Sequence, residues 1–376
     1  MRLSNDTAEL VPRTSFDGPE LRFELGGLAI GVAEYDDGPT GCTVFLFPDG
    51  AHLSADVRGG SPGIVGGGYE WTNAICLAGG SLYGLEATSG VAEYDEGPTG
   101  CTVFLFPDGA HLSADVRGGS PGIVGGGYEW TNAICLAGGS LYGLEATSGV
   151  AAELLKQRGY ATGWTEIPLV TGAIIFDYGP RDNAVYPDKE LGRAAVRAAR
   201  PGVFPLGRRG AGRSATVGKT FEFSGGEPGG QGAAFRELGP TKVAAFTVVN
   251  AVGAIVDRDG EVVRGHVDRA TGSRTALVRG VEERLALGEP VSQLASVNTT
   301  LTVVVTNQRL DVRPLRQLGR QVHASLARAI HPFHALPDGD VLYAVSTAEV
   351  DNPALDPVTL GVVASELAWD AVLTSF

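Results

Sequence analysis

Hydrophobic positions along this chain fall into short runs of two different periods, and their alternation predicts layers of strand and helix. Residues 43–47, 170–176, 242–249, 301–306 and 341–346 are apolar runs of strand length, rich in β-branched side chains. Residues 189–200 read as a helix stopped by Pro201-Gly202, and 360–372 as another. Leu315, Leu318, Val322, Leu326 and Ile330 recur at helical spacing, which predicts one helix over 312–330. Residues 253–257 and 261–265 flank Arg258-Asp259-Gly260 and predict a hairpin with an Asp-Gly turn. Residues 271–293 are polar, carry Glu289-Pro290 and read as an exposed connector ending just before Asn298, giving a processing site the access it would need.

One passage is written twice. Residues 31–89 and 90–148 are the same 59-residue text apart from Asp37 against Glu96. Solenoids show three or more diverged units, so this is a very recent duplication or an error of sequence assembly. Each copy carries a strand, a Pro-Asp-Gly turn, a second strand, a glycine-rich loop and a helix entered near Ser81 or Ser140. The first copy's helix runs into Gly97-Pro98, whereas the second continues through residues 151–158 to a capping Gly159. The fold is therefore expected to have one slot, filled by the start of copy one and the end of copy two, or by one whole copy. The surplus would bulge out or pair with a neighbouring chain.

Length and a 43% hydrophobic content allow one large domain or two. The opening residues lack a signal-peptide layout and no run approaches 18 apolar residues, so a cytoplasmic protein without membrane partners is expected. A net charge of −14 argues against a nucleic-acid partner, because phosphate affinity comes from clustered Lys and Arg. Cys42, Cys76, Cys101 and Cys135 are two sites each present twice and read as buried free thiols.

Asn298-Thr299-Thr300 sets a scissile-looking bond against strand 301–306. If that bond is cut, Thr299 carries both an attacking hydroxyl and an α-amine of pKa about 7.7–8.0 that can take its proton. The tripeptide also fits an N-glycosylation pattern, and a Thr that begins a strand is ordinary. Residues 210–220 end like a phosphate-binding loop, but Arg213 stands where that pattern needs glycine, which disfavours an NTPase. His331-Pro332-Phe333-His334 suggests a metal site, yet the proline breaks the helix that would align two ligands, so these read as ordinary loop histidines. Lys219, Asn250, Thr299, Asp338 and Asp340 are residue types that support acyl transfer. A lysine favours deprotonation, an asparagine amide can donate to an oxyanion and carboxylates can orient an ammonium.

Read in order, Gly97-Pro98-Thr99-Gly100, Ala133-Ile134-Cys135-Leu136-Ala137-Gly138-Gly139, Ala184-Val185-Tyr186-Pro187-Asp188-Lys189, residues 210–219, Asn298-Thr299-Thr300 and Asp338-Gly339-Asp340 carry a family likeness. The chain resembles the N-terminal-nucleophile hydrolases of the D-aminopeptidase/β-aminopeptidase family, from about residue 20 to residue 373 with one copy omitted. The resemblance implies an α/β fold, a layered αββα sandwich with helices outside two central sheets. It implies self-cleavage between Asn298 and Thr299 into residues 1–298 and 299–376, both parts of a single domain, assembled as a homo-oligomer, a tetramer of cleaved heterodimers. It further implies Thr299 as nucleophile, Lys219 and Asn250 flanking it, and Asp338 and Asp340 orienting it. The reaction implied is amide hydrolysis through an acyl-enzyme without metal or organic cofactor. Oligomers of 6-aminohexanoate are the substrate expected first; a β- or D-aminopeptidase or esterase is the alternative, and an unprocessed binding or structural protein the third. Phe176 stands where the family commonly has Tyr, so that hydroxyl's role is lost or passed to Tyr178.

Overall fold

The computed structural model describes residues 3–58, 71–78, 101–111, 129–163, 166–178, 181, 183–219, 226–268, 271–289, 291 and 298–376, with backbone alone for 71–78 and 101–111. The Gly97-Pro98-Thr99-Gly100 motif, the helix entry near Ser81, Pro290 and the side chains of Cys76 and Cys101 lie outside the described residues.

Eight strands join into one sheet: β1 (Ala29–Tyr35), β2 (Thr40–Val57), β3 (Trp130–Ala137), β4 (Val170–Ile174), β5 (Gly230–Leu238), β6 (Thr241–Asn250), β7 (Thr299–Gln308) and β8 (Val341–Val350). Their order in space is β5-β6-β7-β8-β2-β3-β4, with β1 also paired to β2. The β7–β8 and β3–β4 pairs are parallel and the rest antiparallel. β2 links the halves: residues 40–46 pair with β1 and 52–57 with β8. The turn expected at Pro48-Asp49-Gly50 is instead a bulge, for Leu46 faces Ala133 and Ala51 faces Thr131, leaving residues 47–50 opposite Asn132 alone. A bulge adds twist and bend, which lets one long strand serve both halves.

Three buried clusters show the layering. Phe45, Ile134, Ile175, Phe246, Val303, Val305 and Tyr343 meet between the two halves of the sheet. Val243, Ala245, Val304, Leu342 and Ala344 point the other way, against α4 (Val312–Ser325) and α5 (Pro357–Leu373). Ala33, Val44, Cys135 and Ile174 cover the opposite outer face under α1 (Glu145–Gln157) and α2 (Lys189–Arg197). The period-2 alternation of β7 thus buries both faces, as a central strand demands. Phe246 packs its ring 5.2 Å from Phe45 and 5.0 Å from Phe204, and truncating it to Ala would cost about 3–5 kcal/mol. The order helix, strand, strand, helix is the expected αββα sandwich, its two central layers being halves of one folded sheet.

Two further expectations need correction. The 312–330 helix stops at Ser325; a 3-10 turn (Leu326–Arg328) follows, and Ile330–His331 pairs with Ala254–Val256 beside the predicted hairpin. The connector also contains a helix, α3 (Leu277–Ala286), none of whose residues is buried. Leu, Arg and Glu are good helix formers and Arg279 bonds Glu283 at 2.8 Å one turn on, so a polar stretch there is helical rather than irregular.

The duplicated passage fills its slot from both copies: β2 comes from the first and β3 and α1 from the second. The leftover strands, Trp71–Ala78 and Cys101–His111, pair with each other. Ala78 faces Cys101 as Ala137 faces Cys42, Ala74 faces Leu105 as Ala133 faces Leu46, and the register shifts at the matching place. The surplus thus repeats the native pairing with the roles of the copies exchanged. Among the described residues, no helix is long and apolar enough to cross a membrane.

Candidate active site

Three strand ends converge at one place. β6 runs antiparallel to β7 and ends on Asn250, opposite Thr299 at the start of β7. β8 runs parallel to β7 with Val341 facing Leu301, so the residues preceding each strand lie side by side. Asn298 accordingly bridges to Asp338. Its N–H donates to the Pro337 carbonyl at 2.7 Å, and its own carbonyl accepts the Gly339 N–H at 2.7 Å. Lys219 arrives from the loop after a short strand, Thr216–Val217. Gly218 before it has φ +71°, and a Cβ there would lie 2.3 Å from the Gly265 Cα. Only glycine tolerates both the backbone angle and that approach, so its lack of a side chain is what seats Lys219.

All five side chains proposed from sequence meet here, together with Asn298. Lys219 Nζ donates to Asn250 Oδ1 at 3.1 Å and to the Asn250 carbonyl at 3.2 Å. Asn250 Oδ1 also accepts the Thr216 N–H at 3.0 Å, while Nδ2 donates to the Phe176 carbonyl at 2.8 Å. With its oxygen held by two donors the amide orientation is fixed, and one Nδ2 hydrogen remains for a further acceptor. Thr299 Oγ1 donates to the Asn298 carbonyl at 2.6 Å, which sets the hydroxyl beside the bond it would attack. Asp338 accepts from the Val252 N–H (3.3 Å) and the Ala335 N–H (3.1 Å). Asp340 accepts the Thr300 N–H on one oxygen at 2.7 Å and His334 on the other.

Burial sets the charges. Lys219 is 7% exposed, and loss of hydration pulls its amine down to about 7, against the opposing pull of Asp338 and Asp177. Asp338 is pushed up to about 7, first by burial and then by the charge of Asp340, while the Ala335 and Val252 N–H groups and Lys219 act the other way. Lys219 and Asp338 are thus both shifted toward neutrality, the kind of perturbation that marks a candidate site.

The expected access is not what the structure shows. Asn298 and Thr299 are both 0% exposed. Burial closes that bond to an approaching protease and leaves only its own neighbours within reach. Phe176 serves through its backbone carbonyl, whereas the Tyr178 hydroxyl donates to the Ala184 carbonyl at 3.4 Å and its ring lies against Tyr142 and Arg181. Among the described residues, no three His, Cys, Asp or Glu side chains converge as a metal ion would need. Sequence reasoning missed His334, which it took for an ordinary loop histidine; its Nδ1 lies 2.9 Å from Asp340 Oδ2. A single histidine six positions before an acid has no periodic signature that could have revealed it.

Comparison with known proteins places this arrangement. The profile of peptidase family S58 matches residues 96–375, spanning both sides of the Asn298–Thr299 bond and needing only one copy of the duplicated passage. The chain belongs to peptidase family S58. Over 294 residues this S58 hydrolase is 48% identical to the 6-aminohexanoate-oligomer endohydrolase of Agromyces sp. (strain KY5R), across 76% of this chain and 82% of that protein. It matches the protein of the same name from Paenarthrobacter ureafaciens with the same identity and coverage. In fold it is similar to the L-aminopeptidase D-Ala-esterase/amidase of Ochrobactrum anthropi, with a TM-score of 0.52 and 15% identity over 96% of this chain and 88% of that one. That structure is described as a variant of the Ntn hydrolase fold. The S58 chain therefore has the layered fold of the N-terminal-nucleophile aminopeptidases.

Proposed function

We propose that this S58 hydrolase cuts itself between Asn298 and Thr299 and then hydrolyses amide bonds of 6-aminohexanoate oligomers through an acyl-enzyme on Thr299. The observation that carries the reading is the pair of contacts on one oxygen. The Asn298 carbonyl receives the Thr299 hydroxyl at 2.6 Å and the Gly339 N–H at 2.7 Å, so nucleophile and oxyanion donor already flank the scissile group. The 48% identity to proteins named for 6-aminohexanoate oligomers supports the substrate.

In the cut, Oγ1 bonds to the Asn298 carbonyl carbon as its proton passes to the neutral Lys219 amine, and the carbonyl electron pair moves onto the oxygen held by Gly339. Collapse breaks the C–N bond, the Thr299 nitrogen takes a proton, and the chain is left as an ester. Water hydrolyses that ester, giving an Asn298 carboxylate and a Thr299 with free hydroxyl and free amine. The new amine, ordinarily of pKa about 7.7–8.0, serves as base in later turnovers. Asp338 and Asp340 orient it while it is an ammonium. Substrate follows the same course: acyl transfer to Oγ1, departure of the amine, and release of the acid by water.

Residues 1–298 and 299–376 stay together on this reading, because β7, the first element of the smaller piece, is hydrogen-bonded between β6 and β8. The cleaved pair assembles as a homotetramer in the cytoplasm. Intact mass with N-terminal sequencing tests the cut: two pieces, the second beginning at Thr299, are expected, and neither cleavage nor turnover in Thr299→Ala. Fully active material containing only uncut chain rejects it. Incubation with linear 6-aminohexanoate oligomers tests the substrate. Release of single residues from β- or D-amino amides with internal amides untouched would decide for the aminopeptidase reading, which the 33%-identical Mycobacterium leprae relative named an aminopeptidase supports.

A further inference from the structure

Behind Asp340 stands a line of side chains that the mechanism above does not use. His334 Nδ1 lies 2.9 Å from Asp340 Oδ2, and the His334 backbone N–H donates to the same oxygen at 3.2 Å. The imidazole of His323, on α4, packs edge-on against that of His334 with centroids 4.5 Å apart. His323 Nδ1 in turn lies 3.0 Å from Asp56 Oδ2, which also accepts Arg58 Nε at 2.8 Å. The Arg58 N–H donates to the Asp340 carbonyl at 2.8 Å, so the line closes back on the residue it supports. Each ring turns Nδ1 to a carboxylate, which can only accept, so Nδ1 carries the hydrogen in both. Both Nε2 atoms are buried without a partner, a cost of the kind kept where it holds something in place. Burial pushes the His323 imidazole down, and the Asp56 carboxylate opposes that shift.

We propose that His334 is a positioning residue for the nucleophile: its imidazole, braced by His323 and Asp56, fixes the Asp340 carboxylate so that its other oxygen holds the Thr300 N–H next to Thr299. This rests on Thr299 being the nucleophile of a self-cutting chain. His334 has φ +59°, a left-handed conformation that Asn and Gly accept more readily than most residues. That allows the backbone and the side chain to be tested apart.

Full-length chain made by cell-free synthesis is followed on denaturing gels for cutting at Asn298–Thr299. His334→Gly keeps the backbone angle and its N–H but removes the ring; cutting should slow by about tenfold or more, the worth of one charge-assisted hydrogen bond. His334→Asn places an amide N–H close to the position of Nδ1 and should cut within about threefold of the parent. Equal cutting by parent and His334→Gly overturns the proposal. Equal impairment in His334→Gly and His334→Asn overturns it as well, since the donor would then be irrelevant. A parent chain that stays whole removes the self-cutting reading itself, and this inference with it.

Discussion

Lys219 makes a quantitative demand on the pH dependence of the cut. Its amine is driven down from 10.5 to about 7 by burial. At pH 7 an ordinary lysine is neutral in roughly one molecule in three thousand, whereas here about half are, so burial raises the supply of base by about a thousandfold. Below pH 7 the neutral fraction falls about tenfold per unit, so the cut should run roughly fiftyfold slower at pH 5 than at pH 7 and level off near pH 8. Pulse-labelled chain from cell-free synthesis, transferred to buffers between pH 5 and pH 9 and sampled on denaturing gels, gives the rate directly.

Two variants separate this from a general effect of acidity. Lys219→Arg keeps a cation that cannot lose its proton in this range, so cutting should fall by about a thousandfold and lose its rise through pH 7. Lys219→Met removes the base and the two bonds to Asn250 and should be equally slow, but it removes a charge that is costly to bury. Bringing a lysine down by three to four units corresponds to about 4–5 kcal/mol, offset by about 1–3 kcal/mol for the Asn250 carbonyl that loses Lys219, since Asn250 Oδ1 keeps the Thr216 N–H. Uncut Lys219→Met should therefore be no less stable than uncut Thr299→Ala. A rate flat from pH 5 to pH 8, or a Lys219→Arg chain that cuts as the parent does, would refute the assignment of Lys219 as base.

Other expectations follow from the same geometry. Asp340→Asn weakens the grip on the Thr300 N–H and on His334, and should slow cutting by about a hundredfold; an unchanged rate on the same gels would make that carboxylate merely structural. Asp338 titrates at about 7 when folded against 3.8 ordinarily, so its contribution is fully present below pH 3.8 and is lost as pH rises through 7. In uncut Thr299→Ala, the added change Asp338→Asn should flatten the fall in Tm between pH 4 and pH 7, and parallel Tm profiles would contradict this. Deleting residues 59–117 joins Arg58 to Gly118 and leaves one copy of the passage, since β2 and β3 already come from different copies; cutting and Tm should match the parent, and an insoluble or uncut product would show the surplus to be needed. Gly218→Ala forces a Cβ into Gly265 and should lower stability by about 2 kcal/mol or more while moving Lys219, read as a lower Tm and slower cutting.

What the sequence made legible was whatever repeats locally. Continuous apolar runs located β6, β7 and β8, helical spacing located α4 and a Pro-Gly stop located the end of α2, because burial of one or both faces and the breaking of a helix leave those marks in the text. The end of α4 was not legible: Leu326 and Ile330 stay apolar because they remain buried, although the backbone there has already turned into a 3-10 step and a strand. The bulge at Pro48-Asp49-Gly50 reads locally as a turn, and only the partners of β2 on both sides make it a bend within one strand. Thr299, Lys219, Asn250, Asp338 and Asp340 were proposed as residue types, whereas their meeting depends on register between strands far apart in sequence. His323 and Asp56 left no mark, since they meet across 267 positions of chain, and His334 stood out only as half of a metal-site pattern, not as a neighbour of Asp340.

The uncut site also bears on what the cut site would accept. Asn298 fills the space between Thr299 and Gly339 as an acyl group, its carbonyl oxygen on the Gly339 N–H and its own N–H on the Pro337 carbonyl. On the proposed reading, hydrolysis of the ester frees that acyl group to depart and leaves both backbone partners in place. An incoming amide that sets its carbonyl on the Gly339 N–H meets the Thr299 hydroxyl as Asn298 did, so the chain's own end is the template for the substrate's scissile group. The Pro337 carbonyl is then a hydrogen-bond acceptor one peptide unit away, a position that the methylenes of a 6-aminohexanoate unit leave unmatched and an α-peptide N–H would fill. Self-cleavage therefore selects for the shape of the acyl centre alone. Preference between long-spaced and peptide amides must come from groups beyond it, where this chain and its aminopeptidase relatives are free to differ.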